Sequence, residues 1–109
     1  MASDVKWWHG GRFPADGLLL PQPTMRSGRP GDGWVYITTD RDLAATYAAT
    51  LRGSWLMEVE PIGPIEVDPE SRLETSFRCG SARVLRRFTL SRDELTRRRD
   101  VMARLGFQP

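Results

Sequence analysis

Cys79 is the sole cysteine and His9 the sole histidine among 109 residues. A single thiol cannot close an internal disulfide, and one His with one Cys cannot assemble a zinc ligand set without recruiting carboxylates. Metal-dependent catalysis is therefore not expected, and Cys79 reads as a small buried hydrophobe. Long apolar runs are also missing. The runs present, such as Leu18 to Leu20 closed by Pro21, span only a few residues, far short of the roughly 20 residues that cross a bilayer. Met1 to Trp8 carries Asp4 and one lysine, with neither the apolar core nor the small-residue cleavage site of a secretory leader. A cytoplasmic protein without a membrane segment is expected. There is no Walker loop, no GxGxxG after a strand, no HExxH and no GxSxG elbow, so the commonest nucleotide-hydrolysing, dinucleotide-binding and hydrolase signatures are excluded.

What is present is enough for one folded domain spanning 1–109. Hydrophobic residues make up 39% of the chain, four tryptophans supply bulk, and 28% charge is ordinary for a wetted surface. The formal net charge of +2 conceals an asymmetry: residues 1–76 hold seven Lys/Arg against eleven Asp/Glu, whereas residues 77–109 hold nine Arg against three acids. Every basic residue after Lys6 is Arg. That usage suits planar contacts with phosphate or carboxylate, and equally suits a GC-rich coding sequence.

Gly and Pro crowd the stretch from Gly10 to Gly33, which therefore reads as loop. Short runs of β-branched and aromatic residues predict strands at Val5 to Trp8, Trp34 to Thr38, Ser54 to Val59, Ile65 to Val67 and Val84 to Thr89. Leu43, Ala44, Tyr47, Ala48 and Leu51 recur at helical spacing behind a Thr39/Asp40 cap, which predicts a helix over Asp40 to Leu51. Ser91 and Glu94 have capping-box spacing and open a second helix over 91–106, with Arg97, Arg98, Arg99 and Arg104 on its polar face. The order predicts an α+β domain dominated by β structure.

Several polar residues fall at strand ends. His9 follows the first strand and precedes Gly10 and Gly11, where a backbone without side chains can approach a ligand; a lone His here reads equally as a surface residue. Alternation places Trp34, Tyr36 and Thr38 on one face of their strand and Val35 and Ile37 on the other. The first face is either a ligand wall or a polar edge of the core. Asp68 precedes Pro69, which holds it extended, and Ser76 and Arg78 offer a hydroxyl and a guanidinium at the start of the basic segment.

At these positions the sequence resembles the rifamycin (rifampin) ADP-ribosyltransferases, within the diphtheria-toxin-like ADP-ribosyltransferase superfamily. The matching elements are His9-Gly10, Val35-Tyr36-Ile37-Thr38 with Asp42-Leu43-Ala44-Ala45, Glu58-Val59-Glu60-Pro61 with Gly63-Pro64-Ile65-Glu66, Asp68-Pro69, and Ser76-Phe77-Arg78. They follow the family's order across roughly residues 8–85. The resemblance implies a small split β-sheet fold, NAD as co-substrate in the cleft without a metal, and a catalytic set of His9, Tyr36 and Asp68. It implies that His9 bonds a ribose hydroxyl, that Tyr36 packs on the nicotinamide, and that Asp68 sits beside the nicotinamide ribose. Gly10, Thr38, Ser76 and Arg78 complete the expected NAD contacts, with Arg83, Arg86 and Arg87 as further candidates for the pyrophosphate.

The expected acceptor is a hydroxyl of a rifamycin-like macrocycle, the expected state a monomer. Such an acceptor needs an aromatic wall, for which Trp7, Trp8, Trp34 and Trp55 are candidates, most of them expected to be buried. The family usually has Thr where this chain has Gly11, and Tyr where it has Phe77. These departures leave open a fold of the same kind that has lost catalysis, and two further readings compete. One is a toxin-like transferase whose Arg-rich C-terminal helix attracts a protein or nucleic acid acceptor. The other is a non-catalytic basic binding module, against which the aromatics and arginines fall in different parts of the chain rather than interleaving.

Overall fold

The structure, a computed structural model, describes residues 5–22, 31–50 and 53–104, apart from the side chains of 101–103. Five strands and two helices follow in the order β1 (Trp7–Gly11), β2 (Leu18–Leu19), β3 (Val35–Thr38), α1 (Arg41–Thr50), β4 (Trp55–Val67), β5 (Ser76–Phe88) and α2 (Arg92–Arg104). The α+β class is as expected. All pairings are antiparallel, in the order β2-β5-β3-β1-β4, and β4 also pairs with β5. The sheet therefore closes on itself. Its weakest junction lies between β1 and β3, where Trp8 opposite Thr38 is the one pair in register; on its other side β1 pairs with β4 at five positions, from Trp7 with Val59 to Gly11 with Trp55.

The closed sheet wraps a core of Leu19, Val35, Ile37, Met57, Val59, Cys79 and Ala82. Cys79 is fully buried, and burial raises its thiol pKa. A second cluster, Trp8, Ala44, Ala45 and Leu56, seats α1 on the outside of β1. Of the four tryptophans only Trp8 is buried (8% exposed), so the expectation that most would be does not hold. Trp7 and Trp55 pack half-buried against the inner core, and Trp34 is half-buried beside β3.

The helices start where their caps predict. Asp40 Oδ1 accepts the backbone N–H of Asp42 at 2.9 Å and of Leu43 at 3.3 Å, and Ser91 Oγ accepts that of Glu94 at 3.1 Å. The buried stripe of α1 differs from the expected one: Ala44, Ala45, Ala48 and Ala49 are buried, while Tyr47 is 43% exposed. Leu51 and residues 105–106, the expected ends of the two helices, lie outside the described residues.

Three strand expectations are corrected. The loop expected from Gly10 to Gly33 contains the end of β1 and the short β2, whose Leu18 and Leu19 pair with Arg83 and Ala82. β4 does not stop at Glu60-Pro61 but continues to Val67, with a register irregularity between Ile62 and Ile65 and Gly63 at a φ of 82°. Beyond Val59 the strand has lost β1 as a neighbour, and such an edge tolerates Pro61 and Pro64. β5 begins at Ser76 rather than Val84.

The arginines of α2 are not all turned to solvent. Arg98 donates to the Asp42 carbonyl at 3.2 Å, Thr46 Oγ1 at 3.1 Å, Asp42 Oδ1 at 3.2 Å and Glu94 Oε1 at 2.8 Å. Arg99 Nε donates to the Ala49 carbonyl at 2.7 Å, in the last turn of α1, where helix carbonyls lack intrahelical donors. These two side chains fasten α2 to α1.

Candidate active site

A cavity of about 710 Å³ opens at the weak junction between β1 and β3, bounded by α1 and by the turn after β4. That volume lies within the range of roughly 300–1,000 Å³ typical of small-molecule sites. His9, Tyr36 and Asp68, which lie far apart in sequence, all line it, as do Gly10, Thr38 and Ser76.

His9 projects from β1 across the junction. Its Nδ1 lies 2.7 Å from the backbone carbonyl oxygen of Tyr36. A carbonyl only accepts, so Nδ1 carries the proton and the ring orientation is fixed. The glycines after it have different uses. A Cβ on Gly10 would fall 2.1 Å from the Ala44 carbonyl oxygen and 2.7 Å from the Ala48 nitrogen; this glycine is required by the close approach of α1, as well as bordering the cavity. A Cβ on Gly11 would fall 2.8 Å from His9 Nε2. The departure at Gly11 thus gives the imidazole room to lie over the strand.

Tyr36 faces away from Val35 and Ile37, which are buried in the core, so strand alternation is realised as expected. Its hydroxyl donates to Asp32 Oδ2, and Asp32 Oδ1 accepts the Trp34 backbone N–H at 3.1 Å. Burial, and after it the bond to Asp32, push the Tyr36 hydroxyl up to about 12. The same bond holds the Asp32 carboxyl below its ordinary value. Tyr36 is accordingly a neutral phenol near pH 7, fixed at its tip.

Asp68 follows β4 directly. Its N–H donates to the Ser76 carbonyl at 3.1 Å, and its Oδ1 accepts the Glu70 N–H at 3.0 Å. One carboxylate oxygen thus closes the local turn, and the half-buried residue faces the cavity. Phe77 makes an edge-on contact with Trp7 at 5.1 Å between ring centroids and packs on the inner core; its ring serves packing while it borders the cavity.

Arg78 does not line the cavity. Its guanidinium pairs with Glu66 at 3.0 Å and lies 4.2 Å over the Trp34 ring, and Glu66 raises its pKa. The other pyrophosphate candidates are also placed elsewhere. Arg86 pairs with the buried Glu58 at 3.0 Å, Arg87 sits between the rings of Phe13 and Trp55 at 4.3 and 4.4 Å, and Arg83 is exposed outside the lining.

Among the lining residues that escaped the sequence reading are Asp32, Tyr47 and Arg12. Asp32 stands in a Gly-rich turn and reads as a turn residue; its spacing of four from Tyr36 was the available signal. Tyr47 reads as core because it shares the helical period of Ala44 and Ala48. Arg12 carries no local pattern at all. Together the lining offers an imidazole of fixed orientation, a neutral phenol, a second tyrosine and a half-buried carboxylate, an arrangement able to hold an aromatic cation and stabilise positive charge beside it. The chain matches no family model and no curated protein.

Proposed function

We propose that the protein is an NAD-dependent ADP-ribosyltransferase whose acceptor is a hydroxyl of a rifamycin-type antibiotic. The observation that carries the reading is the convergence of His9, Tyr36 and Asp68, from three separate segments, on one cavity at the opening of the sheet. The residues present fit the co-substrate in kind: two tyrosines suit the nicotinamide ring, and a carboxylate suits the positive charge that grows on the ribose as that ring departs.

When bound, NAD supplies an ADP-ribosyl group: the bond from ribose C1′ to the nicotinamide nitrogen breaks with its electron pair leaving on neutral nicotinamide, and the acceptor oxygen bonds to C1′ as it loses its proton. Because the leaving group departs neutral, no acid is required beside it. Asp68 opposes the growing positive charge and receives the acceptor's proton, which passes to water. A carboxylate about 4 Å from a unit positive charge contributes about 4 kcal/mol at an effective dielectric constant of 20, equivalent to about 10³ in rate. His9 holds a ribose hydroxyl, and Tyr36 stays a neutral ring with its hydroxyl pinned by Asp32.

The acceptor surface differs from the four-tryptophan wall anticipated above. Of the four candidates Trp8 and Trp34 border the cavity and Trp7 and Trp55 do not; Tyr47 and Leu20 join them, and Leu20 is 54% exposed. An apolar rim of this kind suits an amphipathic macrocycle. The macromolecular acceptor has less support, because Arg98 and Arg99 are spent on α1. The deciding experiment is mass spectrometry of protein mixed with NAD and rifampicin. The expected product is the drug carrying one ADP-ribose, absent with Asp68→Ala. Nicotinamide release without a drug adduct would redirect the acceptor to a protein or nucleic acid, and no consumption of NAD would overturn the enzymatic reading.

A further inference from the structure

Resting on the reading of this cavity as an NAD site, we propose that Arg12 anchors the pyrophosphate, and that charge separation along the cavity sets the direction in which the dinucleotide lies. Among the described residues lining the cavity, Arg12 is the one arginine or lysine, against three carboxylates, Asp32, Asp68 and Glu70. Among these described lining residues, Arg12 is the one that presents a cation to an entering pyrophosphate.

Arg12 is also uncommitted. It is exposed and makes no hydrogen bond, ion pair or ring contact with a described residue. The neighbouring arginines of the sheet are held: Arg78 by Glu66 and Trp34, Arg86 by Glu58, Arg87 by Phe13 and Trp55. A free guanidinium at the rim can turn its planar fork onto phosphate oxygens in a bidentate contact.

Strand register supplies the direction. Trp8 and Thr38 mark the point where β1 and β3 touch, Thr38 pairs with Ser76, and the Ser76 carbonyl accepts the Asp68 N–H. Asp68 is therefore at the Trp8 end. From there β1 runs through His9 and Gly10 to its end at Gly11, and Arg12 follows it, about 13 Å from Trp8 at roughly 3.3 Å per residue. The cation-favouring end and the anion-favouring end are thus separated along one strand. Asp32 keeps its charge, but its two oxygens are oriented by the Tyr36 hydroxyl and the Trp34 N–H, and the cation acting on it is the Arg78 guanidinium rather than Arg12. This arrangement directs the nicotinamide ribose to Asp68 and the pyrophosphate to Arg12, with His9 between them.

The test is calorimetric titration of NAD, ADP-ribose and nicotinamide riboside into the full chain and into Arg12→Gln, Arg12→Lys and Arg92→Gln. Loss of a charge-assisted phosphate contact predicts that Arg12→Gln weakens NAD and ADP-ribose about 10- to 100-fold. Arg12→Lys should weaken them less. Nicotinamide riboside, which has no pyrophosphate, should bind Arg12→Gln as it binds the unaltered chain. Arg92→Gln, which removes the same charge from the exposed start of α2, should change nothing. If the unaltered chain binds NAD and Arg12→Gln binds it equally well, the inference fails while the NAD site stands. If the unaltered chain binds neither NAD nor ADP-ribose, the site reading fails and the inference with it.

Discussion

His9 Nδ1 donates to the backbone carbonyl of Tyr36 at 2.7 Å. The bond crosses the junction where β1 and β3 share a single pair in register, so a side chain does there what a backbone N–H does elsewhere in the sheet. It also couples two residues that line the cavity.

Removing that bond should cost stability as well as activity. His9→Ala is expected to destabilise the fold by about 1 kcal/mol, the net value of a typical intramolecular hydrogen bond, read from the denaturant midpoint. Long-range proton–nitrogen NMR of the single imidazole should show the proton on Nδ1. A neutral ring protonated at Nε2 alone would contradict the geometry.

Tyr36 should titrate late. In a Tyr47→Phe background, where it is the remaining tyrosine, tyrosinate absorbance should rise with a midpoint of about 12. A hydroxyl whose folded pKa is raised contributes stability that is fully present below the unfolded value near 10 and is lost as pH rises through about 12. Asp32→Asn should lower the midpoint without returning it to 10, because burial is the larger cause and remains. An unchanged midpoint would show that the Asp32 bond does not form.

How far the chain could be read before its structure was known depended on whether a signal was local. The caps at Asp40 and Ser91 were legible because the capping groups sit two or three residues from the amides they satisfy. The inward and outward faces of β3 followed from alternation. β4 was cut short because Pro61, Gly63 and Pro64 are turn residues in most settings, and only the pairing with β5 makes them an edge strand with a bulge. β5 was missed at its start because arginines, Arg78 among them, occupy positions that aromatic and ionic partners cover from elsewhere in the chain. Of the residues that line the candidate cavity, His9, Tyr36 and Asp68 could be singled out in the sequence, whereas Arg12, Asp32 and Tyr47 come to it only through the closure of the sheet.

The two glycines after His9 should fail differently. Gly10→Ala drives a methyl into the backbone of α1 at Ala44, an atom that cannot rotate away. A loss of about 2–3 kcal/mol is expected, in the range of overpacked cores, measured by chemical denaturation. Gly11→Ala meets only the tip of the imidazole, so it should keep most of its stability and lose NAD affinity as His9 is displaced. Equal thermal stability of Gly10→Ala and the unaltered chain would contradict the packing of α1.

Arg98 is 15% exposed and joins both helices. Arg98→Ala should cost about 2 kcal/mol, as hydrogen bonds to charged groups do, whereas the exposed Arg97→Ala should fall within about 0.5 kcal/mol of the unaltered chain. Thermal denaturation of the two variants side by side decides whether the arginines of α2 are interchangeable.

The central claim is that Asp68 stabilises positive charge on a ribose held between His9 and Tyr36, and the most direct measurement is the rate of nicotinamide release from saturating NAD, with acceptor present, for the unaltered chain and Asp68→Asn. The account predicts measurable release and a fall of about 10²- to 10³-fold in Asp68→Asn, in line with the loss of one well-placed electrostatic group, with NAD affinity retained. Equal rates in the two proteins, or no release from either, would contradict it.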